Sequence, residues 1–130
     1  MKLAKLLFTG LLLITFLSNY AQATVYPRKN TLEVYFSDTL DISDLSKIKI
    51  DLEQKNIQLN YRSLKFSQQG KLTGIEYDVR TKKYGGGDKA DDLKKEIGFI
   101  INTDSTAKYG LFVGSKEAIQ NRKMVLEKQK

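Results

Sequence analysis

The chain contains no cysteine, no histidine and only one proline. Without cysteine there is no disulfide, no thiol nucleophile, no thiolate metal site and no acylated cysteine to anchor a lipoprotein. Without histidine there is no Ser-His-Asp triad, no imidazole base and none of the usual zinc, copper or non-haem iron ligand sets. Neither Gly-x-Gly-x-x-Gly nor a P-loop pattern occurs. The run Gly85–Gly87 follows two lysines but opens no periodic helix, so it reads as a flexible loop and not as a phosphate cradle.

Enzymatic chemistry is thereby confined to Asp, Glu, Lys, Ser and Tyr, and no spacing singles any of them out. Ser-x-x-Lys occurs as Ser46…Lys49 and Ser105…Lys108, without the companion motifs of acyl-transfer enzymes. Asp88, Asp91, Asp92 and Glu96 form an acidic cluster of Ca²⁺-type oxygen ligands, but not at the alternate positions of an EF-hand loop, and a solvated loop is the expectation. No carboxylate pair is framed by the apolar surroundings that raise a catalytic acid. No catalytic, metal or cofactor-binding residue is assigned, and no cofactor is expected.

What is present begins with Met1–Ala23. Lys2 and Lys5 make a positive start, Leu6–Leu17 is an almost uninterrupted apolar run, and Ala21-Gln22-Ala23 is a small-x-small cleavage signal. This is the pattern of a secretory signal peptide. The apolar run is about a dozen residues, short of the ~20 that a spanning helix needs, and polar Ser18-Asn19-Tyr20 follows it. The expected product is secreted or periplasmic, cleaved near Ala23, with no transmembrane anchor.

Cleavage leaves Thr24–Lys130, 107 residues, the size of one domain. The 22 basic and 15 acidic residues give +7, and loss of Lys2 and Lys5 leaves +5. This excess favours an acidic partner: another envelope protein with an acidic patch, an acidic envelope polymer or an anionic membrane surface. It lacks the clustered basic stripe of a nucleic-acid binder.

Thr24–Asn30, with Pro27, reads as a loose leader. Thr31–Phe36 alternates as a half-buried strand, with Leu32, Val34 and Phe36 on one face and Thr31, Glu33 and Tyr35 on the other. Asp41 is a natural helix N-cap with Asp44 at N3. Leu40 and Leu45 are placed for a hydrophobic staple. Leu45, Ile48 and Leu52 make a core-facing stripe, and Asn56 is a left-handed terminator.

Ile57–Ser67 reads as a strand whose apolar phase flips between Tyr61 and Leu64, which requires a bulge near Arg62-Ser63. Gly70 supplies the turn into a strand at Leu72–Arg80, where Gly74 marks a second irregularity. Thr81–Asp92 is polar and glycine-centred, a flexible loop. Glu96–Asn102 and Tyr109–Val113 read as strands around a turn at Thr103–Lys108. Ser115 is placed to cap a helix over 116–130, with Ala118, Ile119, Val125 and Leu126 as a weak apolar stripe. Docking and fraying of this helix both stay open. The order β-α-β-β-loop-β-β-(α) predicts an α+β two-layer sandwich, mostly antiparallel, with a helix on one sheet face.

The segment Asp44–Arg80 carries L-x-x-I-x-x-D-L-x-x-K, then N-I-x-L, then a G-K-L-T-x-I hairpin return. It resembles the small extracytoplasmic module found free or appended to antirepressor-type sensor metallopeptidases of the BlaR/MecR kind. Secreted modules of the PepSY kind share the same helix–hairpin order. The chain has no His-Glu-x-x-His, so the resemblance implies only the non-catalytic module and assigns no functional residue.

Three functions follow as expectations. The first is a non-enzymatic binding or sensing module of the envelope or extracellular space, contacting its partner through Tyr35, Asn60, Arg62, Lys82, Lys83 and Tyr84; Tyr and Arg are favoured at interface hot spots. The second is an inhibitor or regulator of an extracytoplasmic peptidase, inserting the 81–92 loop. The third and weakest is a small carboxylate-based hydrolase.

Overall fold

The computed structural model describes residues 25–28, 31–102 and 110–128, with backbone only for 25–28 and 125–128. The expected signal peptide at 1–23, the expected turn at 103–108, Tyr109 and the side chains of Val125 and Leu126 lie outside the described residues. The elements in chain order are β1 (Val25–Arg28), β2 (Thr31–Phe36), α1 (Ile42–Glu53), β3 (Gln58–Phe66), β4 (Leu72–Arg80), β5 (Gly85–Ala90), β6 (Ile97–Asn102), β7 (Leu111–Ser115) and α2 (Lys116–Lys128). Among the described residues no helix is long and apolar enough to cross a membrane.

The fold is an α+β sandwich built on two antiparallel sheets, ordered β1-β2-β6-β7 and β3-β4-β5. Alternation dictates which side chains meet. Leu32, Val34 and Phe36 stand opposite Ile101, Phe99 and Ile97 in the β2–β6 register, and all six are buried. Leu59 pairs with Val79 and Tyr61 with Tyr77 across β3–β4, and their inner face completes the same core. Because β2 and β3 lie in different sheets, the chain needs no parallel crossover between them. At the centre Phe36 sits 4.9 Å from the Tyr77 ring, 6.2 Å from Tyr61 and 6.4 Å from Phe99. The hydroxyl of Tyr77 donates to the Gly98 carbonyl at 2.8 Å, and that of Tyr61 to the Leu45 carbonyl at 2.7 Å. Burial pushes both phenols above the ordinary tyrosine range.

Local signals place α1. Asp41 accepts the Asp44 N–H at 3.0 Å and Asp44 accepts the Asp41 N–H at 3.0 Å, a closed capping box. The same backbone hydrogen bond from Asp44 holds the Asp41 carboxyl below the usual carboxylate range. A cap of this kind is worth about 1 kcal/mol. Leu45, Ile48 and Leu52 are buried in the core, and Leu40 beside the cap is buried with them. Asn56 then takes a positive φ of 60°. The β3–β4 register shifts between Tyr61 and Ser63, at the phase flip, and again between Lys65 and Phe66 opposite Gly74. Gly70 turns the hairpin with φ 77°.

Two segments differ from the expectations, and a third resolves an open alternative. The leader contains β1, an edge strand paired with β2, where Pro27 is tolerated because an edge strand has one unpaired side. The glycine-centred segment 81–92 contains a six-residue strand, β5, paired along β4 from Ile75–Ala90 to Arg80–Gly85. Tertiary fit overrides the low strand propensity of glycine here. A Cβ on Gly87 would lie 2.5 Å from the Tyr77 carbonyl oxygen, and one on Gly86 3.1 Å from Val113 Cγ2. Finally, the C-terminal helix docks. Ser115 Oγ accepts the Ala118 N–H at 3.1 Å, and Ile119 is fully buried against the four-stranded sheet. The layers are thus α2, the four-stranded sheet, the core with α1 at its side, and the three-stranded sheet with its outer face open.

Candidate functional site

That open face follows from the period of two. Ile75, Tyr77 and Val79 point into the core, so Glu76, Asp78 and Arg80 point out from β4. In register beside them on β5 are Lys89, Gly87 and Gly85. Arg62 joins from the bulge of β3. Together with the β4–β5 turn they line a shallow trough of about 770 Å³.

The turn is tightly built. The Thr81 N–H donates to the Tyr84 carbonyl at 2.8 Å, while Thr81 Oγ1 accepts the N–H of Tyr84 at 3.0 Å and that of Lys83 at 3.3 Å. Lys82 and Lys83 are left at the tip. The Tyr84 ring crosses to the start of β7 and lies over Gly110, where no Cβ would fit beneath it, yet the residue stays 40% exposed. It is an exposed aromatic on a fixed seat.

Charge is distributed unevenly along the trough. Arg62 Nε is 3.5 Å from Asp78 Oδ1 near its middle. Lys89 lies 3.8 Å and Lys65 3.6 Å from Asp91 at the far end. The two lysine pairs are exposed and of small energetic weight. At the turn end, Arg80, Lys82 and Lys83 have no ion-pair partner among the described residues, so this end carries concentrated, uncompensated positive charge. Asp78 Oδ1, though buried, accepts no hydrogen bond among the described residues.

Of the six residues expected to make contact, Arg62, Lys82, Lys83 and Tyr84 line the trough. Asn60 is half-buried and stands opposite Asp78 in the β3–β4 register, beside the lining residues. Tyr35 does not line the trough, and its burial removes it from the exposed surface on which it was expected. It is 6% exposed because α2 covers its face of β2: its hydroxyl accepts from Gln120 Nε2 at 3.0 Å, and Lys116 Nζ lies 5.2 Å from its ring centre. Burial, with the nearby Glu33 charge, pushes its phenol up to about 12. Arg80, Glu76, Asp78 and Gly85 were missed. Alternation along Leu72–Arg80 marks the first three as outward, whereas Gly85 becomes part of the face only once β5 is recognised as a strand.

The acidic cluster is dispersed. Asp91 is held between two lysines, Asp92 accepts the Lys94 N–H at 2.9 Å, Asp88 accepts the Lys89 N–H at 2.8 Å, and Glu96 pairs with Lys116 at 3.0 Å. Among the described residues no three such side chains are gathered for a metal ion. No family model, curated protein or solved structure matches the chain.

Proposed function

We propose that this chain is an exported binding module of the cell envelope or extracellular space, holding an acidic partner on the outer face of its three-stranded sheet. The carrying observation is the turn end of the trough, where Arg80, Lys82 and Lys83 have no ion-pair partner among the described residues and Tyr84 stays 40% exposed. An open face with fixed donors suits contact with an extended partner, while Glu76 and Asp78 stand among cations and not in the apolar recess that a general acid needs. A regulator of an extracytoplasmic peptidase would have to use the rigid β4–β5 hairpin, since 81–92 offers no long flexible insert. The resemblance of Asp44–Arg80 to modules appended to sensor metallopeptidases is in keeping with a non-catalytic role.

Export rests on residues 1–23. Their removal leaves every described element whole, because β1 begins at Val25. Expression of the full chain in a secreting bacterial host is expected to yield a product whose intact mass starts at Thr24; retention of the leader would count against export. For binding, the protein is expected to be retained on immobilised dextran sulfate and released by salt. Changing Arg80, Lys82 and Lys83 together to alanine should weaken retention about 10-fold, each rim cation contributing about 0.5 kcal/mol. The fold should be unaffected, as surface substitutions usually stay within about 0.5 kcal/mol. Unaltered retention would remove the turn end from the binding surface.

A further inference from the structure

Pairing with β4 uses only half of the β5 backbone. The Thr81 N–H donates to the Tyr84 carbonyl, and hydrogen-bonded pairs alternate along an antiparallel ladder. Continued in register, Gly86, Asp88 and Ala90 bond to Val79, Tyr77 and Ile75, while the N–H and C=O groups of Gly85, Gly87 and Lys89 point to the outer edge. β5 is the last strand of its sheet. The Lys89 N–H is taken by Asp88 Oδ1 at 2.8 Å, but those of Gly85 and Gly87 have no hydrogen-bond partner among the described residues. Edge strands are ordinarily blunted by proline, bulges or covering side chains. The edge strand β1 carries Pro27, and β3 has two register shifts. The stretch from Gly85 to Gly87 has neither, and both of these glycines are exposed.

An unpaired row of peptide groups is completed by another peptide, added as a strand. Register and charge define that strand. Its residues facing Gly85, Gly87 and Lys89 would carry their side chains on the outer face of the sheet, and the residues between them on the inner side. Across Gly85 stands Arg80, whose Cγ lies 3.6 Å from the position of a Gly85 Cβ, so its side chain leans over the bare backbone. Lys82 and Lys83 follow in the turn. An acidic residue facing Gly85 would meet this uncompensated charge, and another would meet the exposed Lys89. At Gly87 the cross-strand neighbour is Asp78, already paired with Arg62, and a neutral side chain suits that position. On the inner side, the position of a Gly86 Cβ is 3.1 Å from Val113 and 3.3 Å from Leu111, half-buried residues of β7, so apolar residues suit there. A second copy of this chain would instead bring its own cations to the same edge. We infer that the β5 edge takes up an extended acidic segment of a partner protein as a fourth strand, with acids facing Gly85 and Lys89, a neutral residue facing Gly87 and apolar residues between. This rests on the acidic-partner reading above and specifies the partner as a polypeptide.

The test follows binding of acetyl-Thr-Glu-Val-Thr-Val-Glu-Thr-amide to the mature chain by calorimetry and amide exchange. The peptide is expected to slow exchange of the Gly85 and Gly87 amides by about 10-fold or more and to leave those of β3 unchanged. N-methylation at both glutamates and the central threonine removes the N–H groups that would face β5 and keeps the charge; it should weaken binding about 10-fold. Glutamine in place of both glutamates should weaken it about 5-fold. Gly85→Pro removes the outward N–H without touching a bond to β4, and should abolish peptide binding. Should that variant unfold, the N-methylated peptide on the unaltered chain decides the same point. Binding of the N-methylated or the glutamine peptide as tight as that of the parent overturns the acidic-strand assignment. So does a concentration-dependent dimer of the chain alone that Gly85→Pro dissolves, which would put a second copy on the edge. Absence of peptide binding with retention on dextran sulfate intact overturns the strand and leaves the acidic-partner reading standing; absence of both overturns both.

Discussion

Phe36→Ala is expected to cost about 3–5 kcal/mol, a large part of the 5–15 kcal/mol that holds a domain of this size. Phe36 is wholly buried and belongs to β2 of the four-stranded sheet, yet its ring packs on Tyr61 and Tyr77 of the three-stranded sheet. Truncation therefore opens a cavity at the junction of the two sheets. The neighbours are poorly placed to collapse into it. The hydroxyls of Tyr77 and Tyr61 donate to the Gly98 and Leu45 carbonyls, and moving either ring inward would leave its buried hydroxyl without an acceptor. Urea titration should show the loss in the midpoint with little change in slope, and the melting temperature should fall by roughly 15 °C or more. Phe36→Leu, which keeps most of the volume, should lose clearly less. A loss below about 1 kcal/mol for the alanine variant would show that the sheets are joined elsewhere.

Lys123→Ala is expected to release α2. Glu33 and Lys123 form an ion pair under the helix, with side chains 5% and 15% exposed. Removing the cation strands a carboxylate between helix and sheet, and breaking a buried pair in this way costs about 3–5 kcal/mol. Because α2 is terminal, the chain has a cheaper response: the helix lifts, Glu33 regains water, and the loss stops at the free energy of docking. The expected signature is local. Amide protection should vanish across 116–128 and fall at β2 and β6, while the aromatic core keeps its protection. Replacing both partners by leucine should restore docking, since a well-packed apolar pair often matches a buried ion pair. Loss of protection throughout the domain in Lys123→Ala would contradict the local account. Alkali should act on the same contact. The Tyr35 phenol is raised from 10.0 in the unfolded chain to about 12 under the helix. Docking is thus favoured by the neutral phenol, at full strength below pH 10 and progressively lost as pH rises towards 12. In Tyr35→Phe this pH dependence of 116–128 protection should be reduced by the phenol's share.

Much of the local structure was legible before any coordinates. The capping box at Asp41 and Asp44, the stripe Leu45-Ile48-Leu52, the positive φ at Asn56 and Gly70, and the bulge after Tyr61 depend on side chains within a few positions of one another. The alternation in β2, β4 and β6 assigned their core faces for the same reason. Four of the six expected contact residues came together because they lie on one bulge and one hairpin turn, close in sequence to the face they line. Tyr35 was misplaced because alternation separates the two faces of a strand but does not say what covers the second. Here the cover is α2, with its Gln120 contact 85 residues away.

The sequence by itself determined which chemistries the chain lacks, the pattern of its first 23 residues, and the elements encoded by short-range hydrogen bonding and hydrophobic period. Only the tertiary structure decided that Gly85–Ala90 is a strand, that Val25–Arg28 pairs with β2, and that Glu33 and Tyr35 are buried. Each of these depends on a partner strand or helix that supplies the missing stabilisation. A glycine-rich segment has little intrinsic preference for extension, and it becomes a strand when the edge of β4 satisfies its backbone and the space beside Tyr77 and Val113 excludes larger residues. The same pairing set Gly85 beside Arg80, and so placed a segment that reads as a loop along one side of the trough.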